Sequence, residues 1–120
     1  MKQCFYVFLV AAVLFSTGCS TVSEAGYYWG NYPETLYAYQ QDPSKESLAA
    51  HEQELQRLIE FANENDLSTP PGILAELGYI EQQRGNPSEA LRYYESEMTT
   101  YPESRPFLER LLTDPQRQED

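Results

Sequence analysis

The sequence of 120 residues is poor in the residue types that build metal sites, disulfide frameworks and nucleic-acid interfaces. It has two cysteines, Cys4 and Cys19, and one histidine, His51, too few for a Cys/His zinc site or a set of disulfides. Lysine and arginine number 8 against 19 aspartates and glutamates, a formal charge of −11. Because a nucleic-acid binder needs a basic face to displace counterions from phosphates, we expect no nucleic acid, and also no metal and no cofactor.

Groups that would carry catalysis are sparse as well. The sequence has no glycine-rich phosphate loop, and its carboxylate pairs, such as Glu52/Glu54 and Glu95/Glu97, lie two residues apart, where helical side chains do not face each other. We interpret these carboxylates as parts of solvated helix faces. We interpret His51 as a packing histidine, with a pH switch as the alternative. Since catalysis needs convergent groups with tuned pKa values, we expect that the protein is not an enzyme.

The first residues have the pattern of a secretory signal. A short basic start, Met1-Lys2-Gln3, precedes an uncharged run from Cys4 to Phe15 and the small residues that end at Cys19. A membrane-spanning helix needs about 20 apolar residues, and this run is shorter. A charged start, a short apolar stretch and small residues are typical of a cleaved signal peptide, which we predict over residues 1–18.

The tripeptide Thr17-Gly18-Cys19 resembles the processing site of bacterial lipoproteins. Ser16 departs from that pattern, in which leucine is usual. The resemblance implies cleavage before Cys19, acyl chains such as palmitate on that cysteine, and sorting by Ser20 to the outer membrane, with the domain facing the periplasm. Residues 19–26 would then be a lipidated tether, and two or more chains would make the anchor permanent. A free thiol at Cys19 is the alternative.

Apolar periodicity predicts helices through residues 27–112. Pro33 favours a short helix over residues 34–41, and Asp42 is predicted as the N-cap of a longer helix that ends near Asn65. Residues 106–112 are predicted to form a capping helix with Ser104 as its N-cap. The polar residues 113–120 are predicted to be a disordered tail.

Residues 71–102 have the spacing of a helical hairpin around the turn Gly85-Asn86-Pro87, in which Asn86 and Glu89 have the form of a capping box. The spacing resembles the tetratricopeptide repeat, whose pattern is matched at Leu74, Leu77, Gly78, Ala90, Tyr94 and Pro102. We interpret Gly78 and Ala90 as small residues where the helices cross, and Leu77 and Tyr94 as filling the gap between them.

Three positions depart from the repeat pattern. Leu74 stands where the pattern has tryptophan, Glu81 where it has tyrosine, and Glu97 where it has a small residue. A generic helical hairpin is the alternative. One repeat cannot bury its own face, so neighbours must cover it. The predicted fold is therefore all-α, with short tetratricopeptide-like hairpins: one clear repeat, one degenerate repeat and a capping helix.

An aromatic start precedes the helices. Tyr27, Tyr28, Trp29 and Tyr32 are candidate partner-binding residues, because aromatic side chains are enriched in interface hot spots. Two other interpretations stay open: the rings fold back over an open end of the helical stack, or they lie at the lipid headgroups.

This start, with the hairpin that runs from Pro70 to Ser104, resembles a family of small proteobacterial outer-membrane lipoproteins, of the kind encoded beside CsgG-type lipoproteins. The resemblance implies membership of an envelope lipoprotein assembly and carries no activity. We therefore expect a protein-protein interaction scaffold anchored to the outer membrane through Cys19, with other envelope proteins, among them a CsgG-type lipoprotein, as partners. The alternative is a pilotin-like assembly factor that escorts an outer-membrane pore or secretion subunit.

Overall fold

The computed structural model describes residues 26–113, and the all-α fold class is confirmed for them. They form five α-helices: α1 (Tyr32–Gln41), α2 (Lys45–Glu64), α3 (Ile73–Gln83), α4 (Pro87–Thr100) and α5 (Arg105–Thr113). A 3₁₀ turn, Pro102–Ser104, precedes α5. The predicted signal peptide, Cys19, the tether up to residue 25 and residues 114–120 of the tail lie outside the described residues.

The helices pair as two hairpins, α1 with α2 and α3 with α4, while α2 also contacts α3 and α4 also contacts α5. Two clusters of buried side chains follow this order. The first joins α2 to α3 and consists of Leu55, Leu58, Ile73, Leu77 and Ile80; the second joins α4 to α5 and consists of Ala90, Tyr94, Met98, Leu108 and Leu111. Each helix after α1 therefore buries an apolar stripe against a neighbour. Within residues 26–113 no helix is long and apolar enough to cross a membrane.

The start of α2 is set by a pair of serines. The Ser44 side chain accepts a hydrogen bond from the Ser47 backbone N–H (3.1 Å), and the Ser44 backbone N–H donates to the Ser47 hydroxyl (3.0 Å). This reciprocal capping box satisfies two free backbone donors. Asp42 instead closes α1, with its N–H on Ala38 O at 3.1 Å. The prediction that Asp42 caps α2 was wrong.

Asn86 is the N-cap of α4, as predicted, whereas the predicted capping box with Glu89 was wrong. The Asn86 side chain makes no capping hydrogen bond; its Nδ2 donates to Glu81 Oε2 at 2.7 Å. Ser104 lies in the 3₁₀ turn, and its hydroxyl donates to Tyr101 O at 2.7 Å.

Of the residues of the repeat pattern, Leu77 belongs to the first cluster, and Ala90 and Tyr94 belong to the second. Gly78 lies against the ring of Tyr94 and close to Ala90 O, so the small residues stand where α3 and α4 cross. Leu77 packs with the α2 residues of the first cluster instead of filling the gap beside Tyr94. Leu74 is half-buried, and Pro102 is exposed at the start of the 3₁₀ turn.

Glu97, where the repeat pattern has a small residue, reaches from α4 to the N-terminus of α3. Gly72 is the N-cap of α3, with φ +93°. Because it is a glycine, it has no side chain that could cap the helix. The Glu97 carboxylate, only 2% exposed, accepts the Gly72 N–H at 2.7 Å. At the N-terminus of a helix, a carboxylate accepts hydrogen bonds from free N–H groups and is stabilised by the positive end of the helix dipole. The departure from the pattern is therefore a cap supplied by the partner helix of the hairpin.

Candidate functional site

An apolar pocket of about 380 Å³ lies between α1, α2 and α3. Its walls come from all three helices: Leu36, Tyr39 and Gln40 of α1, Leu48 and His51 of α2, and Glu76, Tyr79, Ile80 and Gln83 of α3, with Arg84 at the C-cap of α3. The volume is at the lower end of the range for ligand sites, about 300–1,000 Å³. It is the size of a site for one or two large side chains, since a cavity of about 150 Å³ holds a benzene molecule.

The pocket exists because α1 is held by polar contacts along one side. In α1 no residue is buried, so apolar packing does not draw it fully onto α2 and α3. Instead the Thr35 hydroxyl lies 2.8 Å from His51 Nδ1, and the Tyr32 hydroxyl donates to Glu76 Oε2 at 2.9 Å. These contacts hold α1 beside α2 and α3.

His51 and Glu76 form the polar floor of the pocket. His51 is 1% exposed, and its Nε2 lies 2.7 Å from Glu76 Oε1. Burial, together with the charge and hydrogen bond of Glu76, raises the pKa of Tyr32 to about 12, so its hydroxyl remains a donor at neutral pH. Both ring nitrogens of His51 and both oxygens of Glu76 therefore have partners within the protein.

The order hydroxyl, imidazole, carboxylate is also that of the nucleophilic relay in hydrolases. In such a relay the hydroxyl must reach the substrate. Here His51 and Glu76 line the pocket, whereas Thr35 does not, and its hydroxyl also lies 3.2 Å from Tyr32 O. The arrangement is suited to fixing α1 and does not present a nucleophile to the pocket.

Arg84 lines the pocket and is paired with two carboxylates that lie outside the lining. It bonds to the carboxylate of Glu52 through both terminal nitrogens and to Glu81 Oε1 at 3.0 Å. These carboxylates raise the pKa of Arg84, with the Glu52 hydrogen bond as the largest cause. The charged residues of the lining are thus Glu76 and Arg84, with two further carboxylates beside Arg84.

The candidate partner-binding aromatics are folded back on the helices. Tyr28, Trp29 and Tyr32 are half-buried and pack against the first cluster, and the Tyr28 ring stacks on Phe61 with 3.8 Å between centroids. Tyr27, also half-buried, meets the ring of Tyr101 edge-on at 6.4 Å. Partner binding by the exposed parts of these rings stays a prediction.

A buried glutamate holds this aromatic start in place. Glu54 is 2% exposed; its Oε1 accepts the Asn31 N–H at 2.7 Å, and its other oxygen pairs with Arg57. Gly30 has φ +44°, and a Cβ there would collide with Glu54 Oε1, so only glycine fits between the aromatic residues.

The interpretation of Glu54 and Glu97 as parts of solvated faces was wrong, since each is only 2% exposed, and Glu76 was not singled out. The available signal for Glu54 was its place on the buried stripe of α2, three residues after His51 and four before Leu58, where an isolated carboxylate needs a partner. No such signal marked Glu76, because its two partners lie 25 and 44 residues away along the chain.

The model of a protein family described as a domain of unknown function, DUF4810, matches residues 27–111. The match covers more than half of the chain, from the first residue of the aromatic start to the last turn of α5. The chain belongs to the DUF4810 family. The DUF4810 domain therefore contains the aromatic start, both hairpins and the pocket as one unit. No curated protein and no solved structure matches the chain.

Proposed function

We propose that this protein is an interaction scaffold anchored to the outer membrane within an envelope lipoprotein complex. The observation that supports a binding role is the pocket, whose walls are largely apolar while the polar atoms of His51 and Glu76 at its floor bond to other groups of the protein. Such a site stabilises a bound molecule by burying apolar surface. Because these polar atoms already bond to groups of the protein, we also infer that the protein is not an enzyme. Turnover by the purified protein would overturn that inference.

The sequence supports the location. Cys19 stands at the end of a lipoprotein-like processing site, and about seven residues separate it from the aromatic start, a span of at most about 25 Å. A domain tethered so closely to a membrane meets other envelope proteins at a high effective concentration. Partners are other lipoproteins of the envelope, with a CsgG-type lipoprotein as the first to test.

The experiment compares the wild type with Cys19→Ser, both expressed with the native leader in a Gram-negative host. We expect the wild type in the outer-membrane fraction, with an intact mass that starts at Cys19 and includes added acyl chains. The Cys19→Ser protein should be soluble in the periplasm, with the same helical circular dichroism. A matched Ser20→Ala variant should stay acylated. A wild-type product that still begins at Met1, or that has no added hydrocarbon, would refute the anchor.

The same pocket suits the second candidate, a pilotin-like factor that holds one segment of an outer-membrane client during its delivery. Gene deletion followed by fractionation separates the two roles. Loss of an escort leaves its client in the wrong membrane, whereas loss of a scaffold leaves the other subunits in the outer membrane but unassembled. Chemical cross-linking of the finished complex completes the test, because only a scaffold is found in it.

A further inference from the structure

We propose that the pocket between α1 and α3 receives one large apolar side chain from a segment of a partner protein, and that lysine or arginine flanks this side chain in the partner. The inference deepens the proposed scaffold role and depends only on the protein being a binding protein. It can be tested on purified protein in solution, so it stands or fails separately from the lipid anchor.

The floor of the pocket favours an apolar occupant. His51 Nδ1 and Nε2 are engaged by Thr35 and Glu76, and the second Glu76 oxygen accepts from Tyr32. A polar group that entered would lose its water and find these groups already occupied, which disfavours its binding. An apolar side chain loses no hydrogen bond and buries its surface against Leu36, Leu48 and Ile80.

The charge around Arg84 selects what flanks that side chain. Arg84 lines the pocket, and Glu52 and Glu81 lie beside it with all four carboxylate oxygens already bonded to Arg84 or Asn86. Together with Glu76, these groups are three carboxylates and one guanidinium, so lysine or arginine beside the inserted group would be attracted by their net charge. A second copy of this chain, with a formal charge of −11, would be repelled over its whole surface.

Tyr79 marks the edge of the pocket at which such a segment would lie. It lines the pocket and is 43% exposed, which combines an accessible aromatic ring with a concave site, as in interface hot spots. Tyr37 of α1 is 63% exposed and does not line the pocket. The two tyrosines therefore provide a matched pair of substitutions, neither of which removes a buried residue.

The experiment uses a random 12-residue peptide library displayed on yeast and sorted with the purified Cys19→Ser full-length protein. We expect enriched sequences with one large apolar residue, such as leucine, methionine or phenylalanine, flanked by lysine or arginine. A synthetic peptide of the enriched sequence should bind Tyr79→Ala about tenfold or more weakly than the parent protein. It should bind Tyr37→Ala with an affinity within about twofold of the parent. Its affinity should fall as salt is raised, because salt screens the attraction between charges near the surface.

In a second pair of variants, one substitution fills the pocket and the other is a control outside it. Gln83→Trp adds volume at the rim and should weaken peptide binding as strongly as Tyr79→Ala, whereas Gln53→Trp, at an exposed position of α2 outside the pocket, should not. Circular dichroism and urea unfolding establish that each variant is folded.

Several results would overturn the proposal. These are enrichment of acidic or purely polar peptides, no enrichment at all, or binding that Tyr79→Ala and Gln83→Trp leave unchanged. A monomer–dimer equilibrium that Tyr79→Ala abolishes in analytical ultracentrifugation would assign the pocket to a second copy. Binding of a fluorescent fatty acid that Tyr79→Ala abolishes, without peptide enrichment, would assign it to a lipid.

Discussion

Gly78 lies against the ring of Tyr94, and the two residues set how closely α3 and α4 approach each other. A Cβ at position 78 would stand 2.6 Å from Tyr94 Cε1 and 3.1 Å from Ala90 O. Since Tyr94 is fully buried and its hydroxyl donates to Gln82 Oε1 at 2.8 Å, the ring has little room to move. The smallest residue on α3 is thus matched to the largest buried side chain of α4.

The first prediction concerns Gly78→Ala. Alanine favours the helix by about 1 kcal/mol, but overpacking against a buried ring costs about 1–3 kcal/mol. We expect a net loss of about 1 kcal/mol in the free energy of unfolding, measured in urea. In a Tyr94→Leu background the contact with the ring is absent and only the approach to Ala90 O remains, so the same substitution should cost less stability. An equal loss of stability in both backgrounds would contradict the contact between Gly78 and Tyr94.

The second prediction compares Gly30→Ala with Gly26→Ala. Both glycines have positive φ, +44° at Gly30 and +77° at Gly26. A Cβ added at Gly30 would meet Glu54, whereas a Cβ added at Gly26 would have no atom within 4 Å. The backbone strain is shared, whereas Gly30→Ala must also displace a buried carboxylate and break its bond to Asn31. We expect Gly30→Ala to be the less stable variant by about 1–3 kcal/mol.

Fluorescence provides a second measurement for these two glycine variants. Trp29 is the single tryptophan of the chain and packs against the first cluster. Its emission should shift to the red in Gly30→Ala, as the aromatic start leaves α2, and stay near the wild-type position in Gly26→Ala. The same emission in both variants would show that Glu54 does not hold the start.

The third prediction concerns the attachment of α1. Thr35→Val keeps the shape of the side chain and removes the hydroxyl from His51 Nδ1, leaving a buried nitrogen without that partner. We expect a loss of about 1–3 kcal/mol in the free energy of unfolding and faster amide exchange in α1 than in α3. Thr99→Val is the control, because the exposed Thr99 hydroxyl bonds only to Glu95 O; it should change stability by less than about 0.5 kcal/mol. Similar losses in both variants would count against the network.

The fourth prediction is a pH dependence at Glu97. Burial raises the pKa of Glu97 above its ordinary value of 4.5, against the backbone N–H groups of Gly72, Ala75 and Leu74, which lower it. The folded protein therefore binds this proton more tightly than the unfolded chain does. The stability that comes from the proton is complete below 4.5 and is lost as the pH rises through the raised pKa.

Glu97→Gln measures this effect, because glutamine does not titrate. We expect the wild type to gain stability relative to Glu97→Gln as the pH falls from about 7 toward 4.5, in urea unfolding at each pH. Glu95→Gln, at an exposed position on the same helix, is the matched control for the loss of one carboxylate. A wild-type advantage that instead grows as the pH rises would mean that the pKa of Glu97 is lowered.

The helices and the hairpin turn were predictable because they depend on neighbours in the chain. Apolar residues repeat with the helical period, and the turn Gly85-Asn86-Pro87 ends one stripe and begins the next. The start of α2 was missed because Asp42 and Ser44 are both good caps. The hydroxyl of Ser47, one turn later, selects Ser44 by completing the capping box.

The pocket was not predictable, because no single segment contains it. Its floor joins His51 of α2 to Glu76 of α3, and the Tyr32 hydroxyl that bonds to Glu76 lies 44 residues earlier in the chain. Periodicity shows which face of a helix is buried, but not which residue of another helix lies opposite that face. The same limit hid the role of Glu97, which the repeat pattern marks only as an unusual residue.

By itself, the sequence determined the helical class, the approximate helix bounds and the acidic surface, since each follows from composition or from contacts within a few residues. Within residues 26–113, the tertiary structure decided the roles of three buried polar side chains, His51, Glu54 and Glu97. Burying a polar group costs free energy that a partner offsets by replacing the lost water, and Glu97 is only partly compensated, because its Oε2 has no hydrogen-bond partner among these residues. For these three, partners at Glu76, Asn31 and Gly72 lie 23 to 25 residues away and come within reach only when the helices pack.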